Sequence, residues 1–566
     1  MKKILIPLFV LLLLLLAALA GSGFLISALL TGSGKDALIA ALSARAGVPI
    51  EVDSAEFDVR TWYQLNPALR LEGVRVGNPA GFAGQWLLTT RGMSARVALK
   101  PLWNNQIQVE SLHLTEPVLA FEKNRQGISN LEAFSQTVTS GQSQQTPPAA
   151  SAGATLSVAE FIVDGAAIHL RDTTIDSVDL RLEDFAPGQP CRAKIRAGIG
   201  VGSDLVFEGR LGPFGSEALP LEGNLRLNLA LSSIPEPTRR REFGELLADP
   251  GRAARIAVQS DLKGDLYGSL AGPARLTLRD VMAGRDGVEK LRLDGEVPMQ
   301  ASISKALSTP LYDLRIRNGA LRMGEGEWKG NLDVLLVGGV VRGKSSGAIR
   351  NVDLDRFLTA FTRAAGRVQG VFALENYTLR FGGKDAAAIR ESLAGSGTAS
   401  VEKGRLKELD MLAAIRAALE GAKAPGGDTE FSRLDAKLEI GGQRMRFPEL
   451  TMSGPAIQAT GSGSITFAQA LDFRLSTIVR GRAAELLGRK ASENAPAEAA
   501  VPMRIGGTVA KPAVYPDIGK LARQTGAEYA ERVIREKVLT EGVKEKVREK
   551  LKGFEIPLPF GGRKKE

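Results

Sequence analysis

The sequence predicts a mainly β protein with short helices, preceded by one N-terminal transmembrane helix. Three observations lead there. Ile4 to Leu30 is apolar and carries no charge. Leu225, Leu227, Leu229 and Leu231 alternate with Arg226, Asn228 and Ala230, the period of a strand with one apolar face. Glycine is abundant, 63 of 566 residues, while aromatics make up only 5%, a balance that suits many strands joined by turns.

About 20 apolar residues are enough for a helix to cross the hydrocarbon core of a bilayer. Lys2 and Lys3 precede the apolar run and Lys35 is the first charge after it. The positive end is expected to stay cytoplasmic, which places the body on the far side of the membrane. Ala18-Leu19-Ala20 before Gly21 also fits a signal-peptide cleavage site. Apolar sequence resumes at Phe24-Leu25-Ile26, and this length favours an uncleaved anchor.

Composition narrows the chemistry. The single cysteine, Cys191, allows no intramolecular disulfide. His113 and His169, the only histidines, are poor material for a metal site or a histidine base and are expected on the polar face. The net charge of +10 is dispersed apart from short blocks such as Arg239-Arg240-Arg241, so nucleic acid is not an expected partner. Attraction to anionic membrane surfaces is the milder consequence.

Along the chain, Lys35 to Ala46 reads as a short helix ended by Gly47. Extended structure follows at Ile50–Val52, Leu69–Leu71, Val74–Val76, Arg96–Leu99 and Ile107–Val109. A recurring unit then appears. Val109, Leu112, Leu114, Leu119 and Phe121 fall at offsets 0, 3, 5, 10 and 12. The same offsets recur at Val158, Phe161, Val163, Ile168 and Leu170, and at Leu311, Leu314, Ile316, Leu321 and Met323. A partial copy holds Leu438, Ile440, Met445 and Phe447. Pro117, Gly165, Gly319, or Gly441 with Gly442 separates the two apolar pairs, so each copy is predicted to be a hairpin. Such hairpins need neighbours, which argues for a long antiparallel sheet.

The remaining elements are strands at Ala274–Val281, Leu291–Val297 and across Phe431–Val479, short helices at 353–365 and 406–419, and a helical tail at 518–551. Residues 136–153 and 492–500 lack apolar periodicity and are expected to be linkers. The predicted division is therefore an anchor at 1–34, a first β region at 35–135, a linker at 136–153, a central and C-terminal β region at 154–491, a linker at 492–500, and a final strand with an amphipathic helix at 501–566.

No catalytic constellation emerges, and no cofactor or metal is expected. Gly338 to Ser345 matches the phosphate-binding loop expression, but the strand is followed by Ser346-Gly347 instead of a helix. Asp172, Asp176, Asp179 and Glu183 suit solvated strands and turns better than a calcium loop. The apolar face remains. It is either closed over a core or curled into a groove for apolar ligands, and alternation alone does not choose between the two.

Several segments resemble the AsmA family of bacterial envelope proteins: Gly47-Val-Pro-Ile-Glu-Val, Leu71-Glu-Gly-Val-Arg-Val-Gly-Asn-Pro, Leu99-Lys-Pro-Leu, Leu112-His-Leu-Thr-Glu-Pro-Val-Leu and Gly127-Ile-Ser-Asn. Towards the C-terminus, Gly395-Ser-Gly-Thr, Thr429-Glu-Phe-Ser-Arg-Leu, Gly461-Ser-Gly-Ser-Ile and Val501-Pro-Met-Arg-Ile-Gly-Gly-Thr-Val-Ala-Lys-Pro are similar to its second signature. The resemblance implies a single-pass bacterial inner-membrane protein with a periplasmic body of curved β-sheet. It implies a hydrophobic groove for phospholipid, a link to outer-membrane assembly, and no catalytic residues. Leu225, Leu227, Leu229, Leu231, Leu314 and Ile316 are the candidate groove residues. The expected partners are phospholipid, the inner membrane and other envelope proteins. The rival expectation is a scaffold for outer-membrane protein assembly that binds no lipid.

Overall fold

In the computed structural model, most residues between 36 and 516 are described. The longest stretches outside the description are 59–67, 101–105, 135–154, 305–309, 421–426 and 485–497. The expected membrane segment, the 136–153 linker and the helical tail lie outside the described residues. Among the described residues, no helix is long and apolar enough to cross a membrane.

The chain is mainly β and forms two compact units. The first comprises Met1–Met282, Leu293–Gly319 and Asp333–Gly339, and the second comprises Ala283–Arg292, Ala320–Leu332 and Val340–Glu566. In the first unit, β1 (Ile50–Glu51) and β2 (Ser54–Asp58) both pair with β3 (Ala68–Gly77). β3 pairs with β4 (Trp86–Ala98), and β4 pairs with both β5 (Gln106–Thr115) and β6 (Val118–Ala120). The sheet continues through β7 (Thr155–Leu170), β8 (Thr173–Phe185), β9 (Cys191–Gly198), β10 (Asp204–Leu211), β11 (Pro220–Ala230), β12 (Arg255–Asp265) and β13 (Ser269–Ala283). β14 (Leu291–Ser304), β15 (Leu311–Met323) and β16 (Gly326–Val337) contribute residues to both units.

The second unit continues with β17 (Val340–Asp353), β18 (Val368–Gly383), β19 (Ala394–Leu406), β20 (Thr429–Gly441), β21 (Arg444–Ser453), β22 (Ile457–Thr466), β23 (Leu471–Arg480), β24 (Glu498–Thr508) and β25 (Lys511–Pro516). Each of these pairs antiparallel with the next. Glu498 to Ala500, expected in a linker, therefore begins a strand, with Glu498 opposite Arg480.

Antiparallel pairing does not hold throughout. β5 and β6 lie parallel to β7. Parallel neighbours need a long crossover, and the chain between Phe121 and 154 supplies it.

The recurring unit is real, but three of its copies are not hairpins. β5 with β6, β7 and β15 each run on across the expected turn. The residue fourth after Leu112, Phe161, Leu314 or Leu438 takes positive φ in every copy: Glu116, Gly165, Asn318 and Gly442. A single left-handed residue turns the strand over without reversing it, so apolar side chains at odd spacing stay on one face. In the fourth copy Gly442 and Gln443 are both left-handed, and β20 and β21 there form a true hairpin. The first two copies lie side by side in register: Val109 beside Val158, Leu112 beside Phe161, Leu114 beside Val163 and Leu119 beside Ile168.

Short helices stand at Leu354–Phe361 and Met411–Glu420. The first starts where expected because the Asp353 carboxylate accepts from the Arg356 amide. It ends earlier than expected, with Thr362 as its C-cap. The second starts later than expected because Leu406 completes β19. The phosphate-loop match dissolves into strand: Gly338 and Gly339 form a left-handed turn, and Lys344 pairs with Arg380 inside the sheet.

Each unit has its own core. In the first, Leu71, Leu87, Leu112, Leu131 and Phe134 are fully buried, and the same cluster reaches Leu211, Leu221 and Leu270. In the second, Met411, Ile415, Val479, Val501 and Met503 are sealed in a cluster of their own.

Candidate functional site: an apolar sheet face

The pairing of β9 to β13 lays apolar side chains in rows across the strands. Leu205 stands beside Leu227, Leu227 beside Val258, and Val258 beside Leu276. A neighbouring row joins Leu229, Ile256 and Leu278. Another joins Ile195, Phe207, Leu225, Ser260 and Ala274. Alternation along each strand puts these residues on a single face.

This face is sealed at its two ends and open between them. At one end Leu211, Leu219, Leu221, Leu266 and Leu270 are buried. At the other, Leu231, Ala254 and Val281 form a small closed cluster beneath a 3-10 turn, Leu231–Ser233, and Arg239 donates to the carbonyls of Leu231 and Ile234. Between the ends, Leu205, Leu227, Leu229, Val258 and Leu276 are only half-buried. Completing the burial of one such side chain is worth on the order of 1 kcal/mol. The open rows are thus a surface that gains from an apolar partner.

The six candidate residues separate on this geometry. Leu227 and Leu229 lie on the open stretch, half-buried, while Leu225, also half-buried, packs against the sealed cluster. Leu231 is fully buried in the closed cluster and serves the core. Leu314, at 39% exposure, and Ile316, at 8%, stand two apart on β15. Val258, Leu276, Ile256 and Leu278 share the rows, and the alternation of Ile256, Val258 and of Leu276, Leu278 was the signal that could have found them.

The opposite face is polar and knitted by cross-strand pairs. Lys194 meets Glu208 at 2.7 Å, and the Asn224 amide donates to Asp261 at 2.9 Å. The Lys194 hydrogen bond holds the Glu208 carboxyl below its ordinary range. Solvent screens exposed pairs of this kind, so they mark a solvated face more than they stabilise it. A cleft of about 560 Å³ is lined by Gln259, Asp261, Arg275, Gln300, Arg315 and Arg317 of the polar side, and also by Ser260 and Ala274. None of Leu205, Leu227, Leu229, Val258 and Leu276 lines it, so the cleft is not the open apolar stretch. Its arginines are already paired, Arg275 with Glu296, Arg315 with Asp313 and Arg317 with Asp333.

Other singled-out residues are structural. His113 is held by Asp164 at 2.6 Å across β5 and β7, and His169 is exposed. Burial pushes the Cys191 thiol up to about 11, which leaves it protonated and unreactive at neutral pH. Glu183 is engaged by Arg181 and Arg192. Among the described residues, no group of three or more His, Cys, Asp or Glu is placed to hold a metal ion. Two of the quoted sequence segments meet: the fully buried Asn130 amide donates to Asn78 Oδ1 at 2.9 Å and to the Ala120 carbonyl at 2.7 Å, and its Oδ1 accepts from the Glu122 amide. These asparagines tie a turn to the sheet and satisfy buried polar groups.

Fold and site together define a β-sheet protein with one solvated face and one incompletely covered apolar face. Residues 1–190 match the model of the AsmA family, which supports the AsmA-family assignment on the part of the chain that holds the N-terminal quoted segments. No curated protein and no solved structure matches the chain.

Proposed function

We propose that this chain is a single-pass inner-membrane protein whose periplasmic body binds or conveys phospholipid along an apolar β groove, in support of outer-membrane assembly, without catalysis. The observation that carries the reading is the open stretch of Leu227 and Leu229 between two sealed ends. Acyl chains would cover those rows while the charged face stays in water. The AsmA match over residues 1–190 supports an envelope role of this kind.

The test is the double substitution Leu227→Glu, Leu229→Glu in the full chain, with co-purified phospholipid measured by extraction and mass spectrometry. Both residues are half-buried, so the fold should survive, and circular dichroism would verify it. Lipid content should fall several-fold. Unchanged lipid in a folded variant would overturn the groove. The closed N-terminal cluster around Leu71, Leu112 and Phe134 favours a second reading for that part of the chain, a scaffold for envelope proteins. A lipid-free, monodisperse chain that crosslinks to such proteins would establish it.

A further inference from the structure

The apolar face of the second unit carries a polar belt. The Trp328 indole on β16 donates to the Tyr377 hydroxyl on β18, and that hydroxyl lies 2.8 Å from Ser345 Oγ on β17. Tyr377 is placed there by its neighbour: Asn376 is left-handed, so Leu374 and Tyr377 share one face despite their odd spacing. Gly397 leaves room beside it: an added Cβ there would stand 2.9 Å from Tyr377 Cβ and 3.0 Å from Leu374 Cδ1. Around the belt are Ile349, Phe372, Leu379 and Leu438, all partly buried.

The belt has one hydrogen-bond donor more than it uses. Indole N–H, tyrosine O–H and serine O–H supply three protons, and the two contacts consume two. The indole can only donate. Whether Tyr377 donates to Ser345 or accepts from it, one hydroxyl proton is left without an acceptor inside the belt. Tyr377 is 3% exposed, but Ser345 and Trp328 are half-buried, so the belt borders accessible surface. A buried donor calls for an acceptor, which solvent supplies when no ligand is present.

All three groups are neutral. The nearby cations belong to the other face: Arg350 is engaged by Glu375, and Lys344 and Arg380 are exposed. A desolvated anion without a counter-charge is strongly disfavoured, so the complementary ligand atom is a neutral acceptor flanked by apolar groups. We infer that Trp328, Tyr377 and Ser345 form a docking point for the ester carbonyl of a glycerolipid, whose acyl chains lie along Ile349, Phe372, Leu379 and Leu438. This inference rests on the lipid reading above and deepens it, since it makes the glycerol-ester region, and not the headgroup, the part recognised in the second unit.

The experiment offers the delipidated full chain an equal mixture of dioleoyl phosphatidylethanolamine and its dialkyl ether analogue, which keeps the headgroup and phosphate but lacks both carbonyls. Bound lipids are counted by native mass spectrometry. The wild type should retain the ester lipid about fivefold over the ether, the worth of one hydrogen bond. The triple variant Trp328→Phe, Ser345→Ala, Tyr377→Phe, which removes every side-chain proton of the belt, should bring the ratio to about one with ether-lipid binding unchanged. Where that variant does not fold, the wild-type ratio carries the test. Equal retention of both lipids by the wild type, or an ester preference that survives removal of the three donors, overturns this docking point and leaves the groove standing. Retention of neither lipid overturns the groove reading and the docking point together.

Discussion

Arg350 on β17 and Glu375 on β18 make a two-pronged contact, with Nε to Oε1 at 2.5 Å and Nη2 to Oε2 at 2.8 Å. The Arg350 hydrogen bond holds the Glu375 carboxyl below its ordinary value of 4.5. A carboxyl lowered in the folded state adds stability that is fully present above its unfolded value, and that contribution is lost as pH falls through the lowered one. Arg350→Met should therefore lower the urea midpoint at neutral pH, and the deficit should shrink in acid once Glu375 is protonated in both chains. A deficit that is the same at both pH values would assign the effect to lost packing of the arginine stem. The period-2 pattern made the faces of these residues legible from sequence. The partner was not legible, because strand order and register decide which carboxylate stands opposite a given arginine.

At the scale of the element, the left-handed residues decide what each sequence repeat becomes. Gly165 has φ +65, and an added Cβ would meet nothing closer than Glu116 Cγ at 3.6 Å. The space is open, so a substitution there is limited by backbone conformation. Gly165→Val should cost about 1–2 kcal/mol, and Gly165→Asn less, because asparagine tolerates the left-handed region. Equal losses measured by denaturant titration would instead implicate the bulk of the side chain. The apolar offsets of the repeat could be read in the sequence, and they mapped onto real strands. Their meaning could not, since a bulge and a hairpin turn share the same glycine and asparagine chemistry. One left-handed residue at Gly165 keeps β7 running, whereas two at Gly442 and Gln443 reverse the chain. The helix at Leu354–Phe361 was legible because Asp353 and the apolar spacing of Leu354, Phe357, Leu358 and Phe361 are local signals.

For the whole molecule, the distribution of cover over the apolar face matters more than the total apolar content. Leu227, Leu229 and Leu231 sit in one unbroken alternation, yet only Leu231 is sealed. The difference is that Leu231 leaves β11 for the 3-10 turn and packs with Ala254 and Val281, a long-range property no local pattern encodes. A natively folded chain with open rows should enhance the fluorescence of anilinonaphthalene sulfonate after delipidation, without loss of its near-ultraviolet circular dichroism. The enhancement should fall in the Leu227→Glu, Leu229→Glu variant. A delipidated chain that leaves the dye dark would mean that both apolar faces are covered in solution.

The in-register pairing of β5 and β6 with β7 has a consequence for how this part of the chain can change in length. Glu116 and Gly165 turn over at the same level of the sheet, so neighbouring apolar side chains stay on one side. A residue lost from one strand alone would shift its turnover point and rotate every following side chain to the wrong side of its neighbour. Insertions and deletions here are therefore tolerated only as matched pairs, one in each strand.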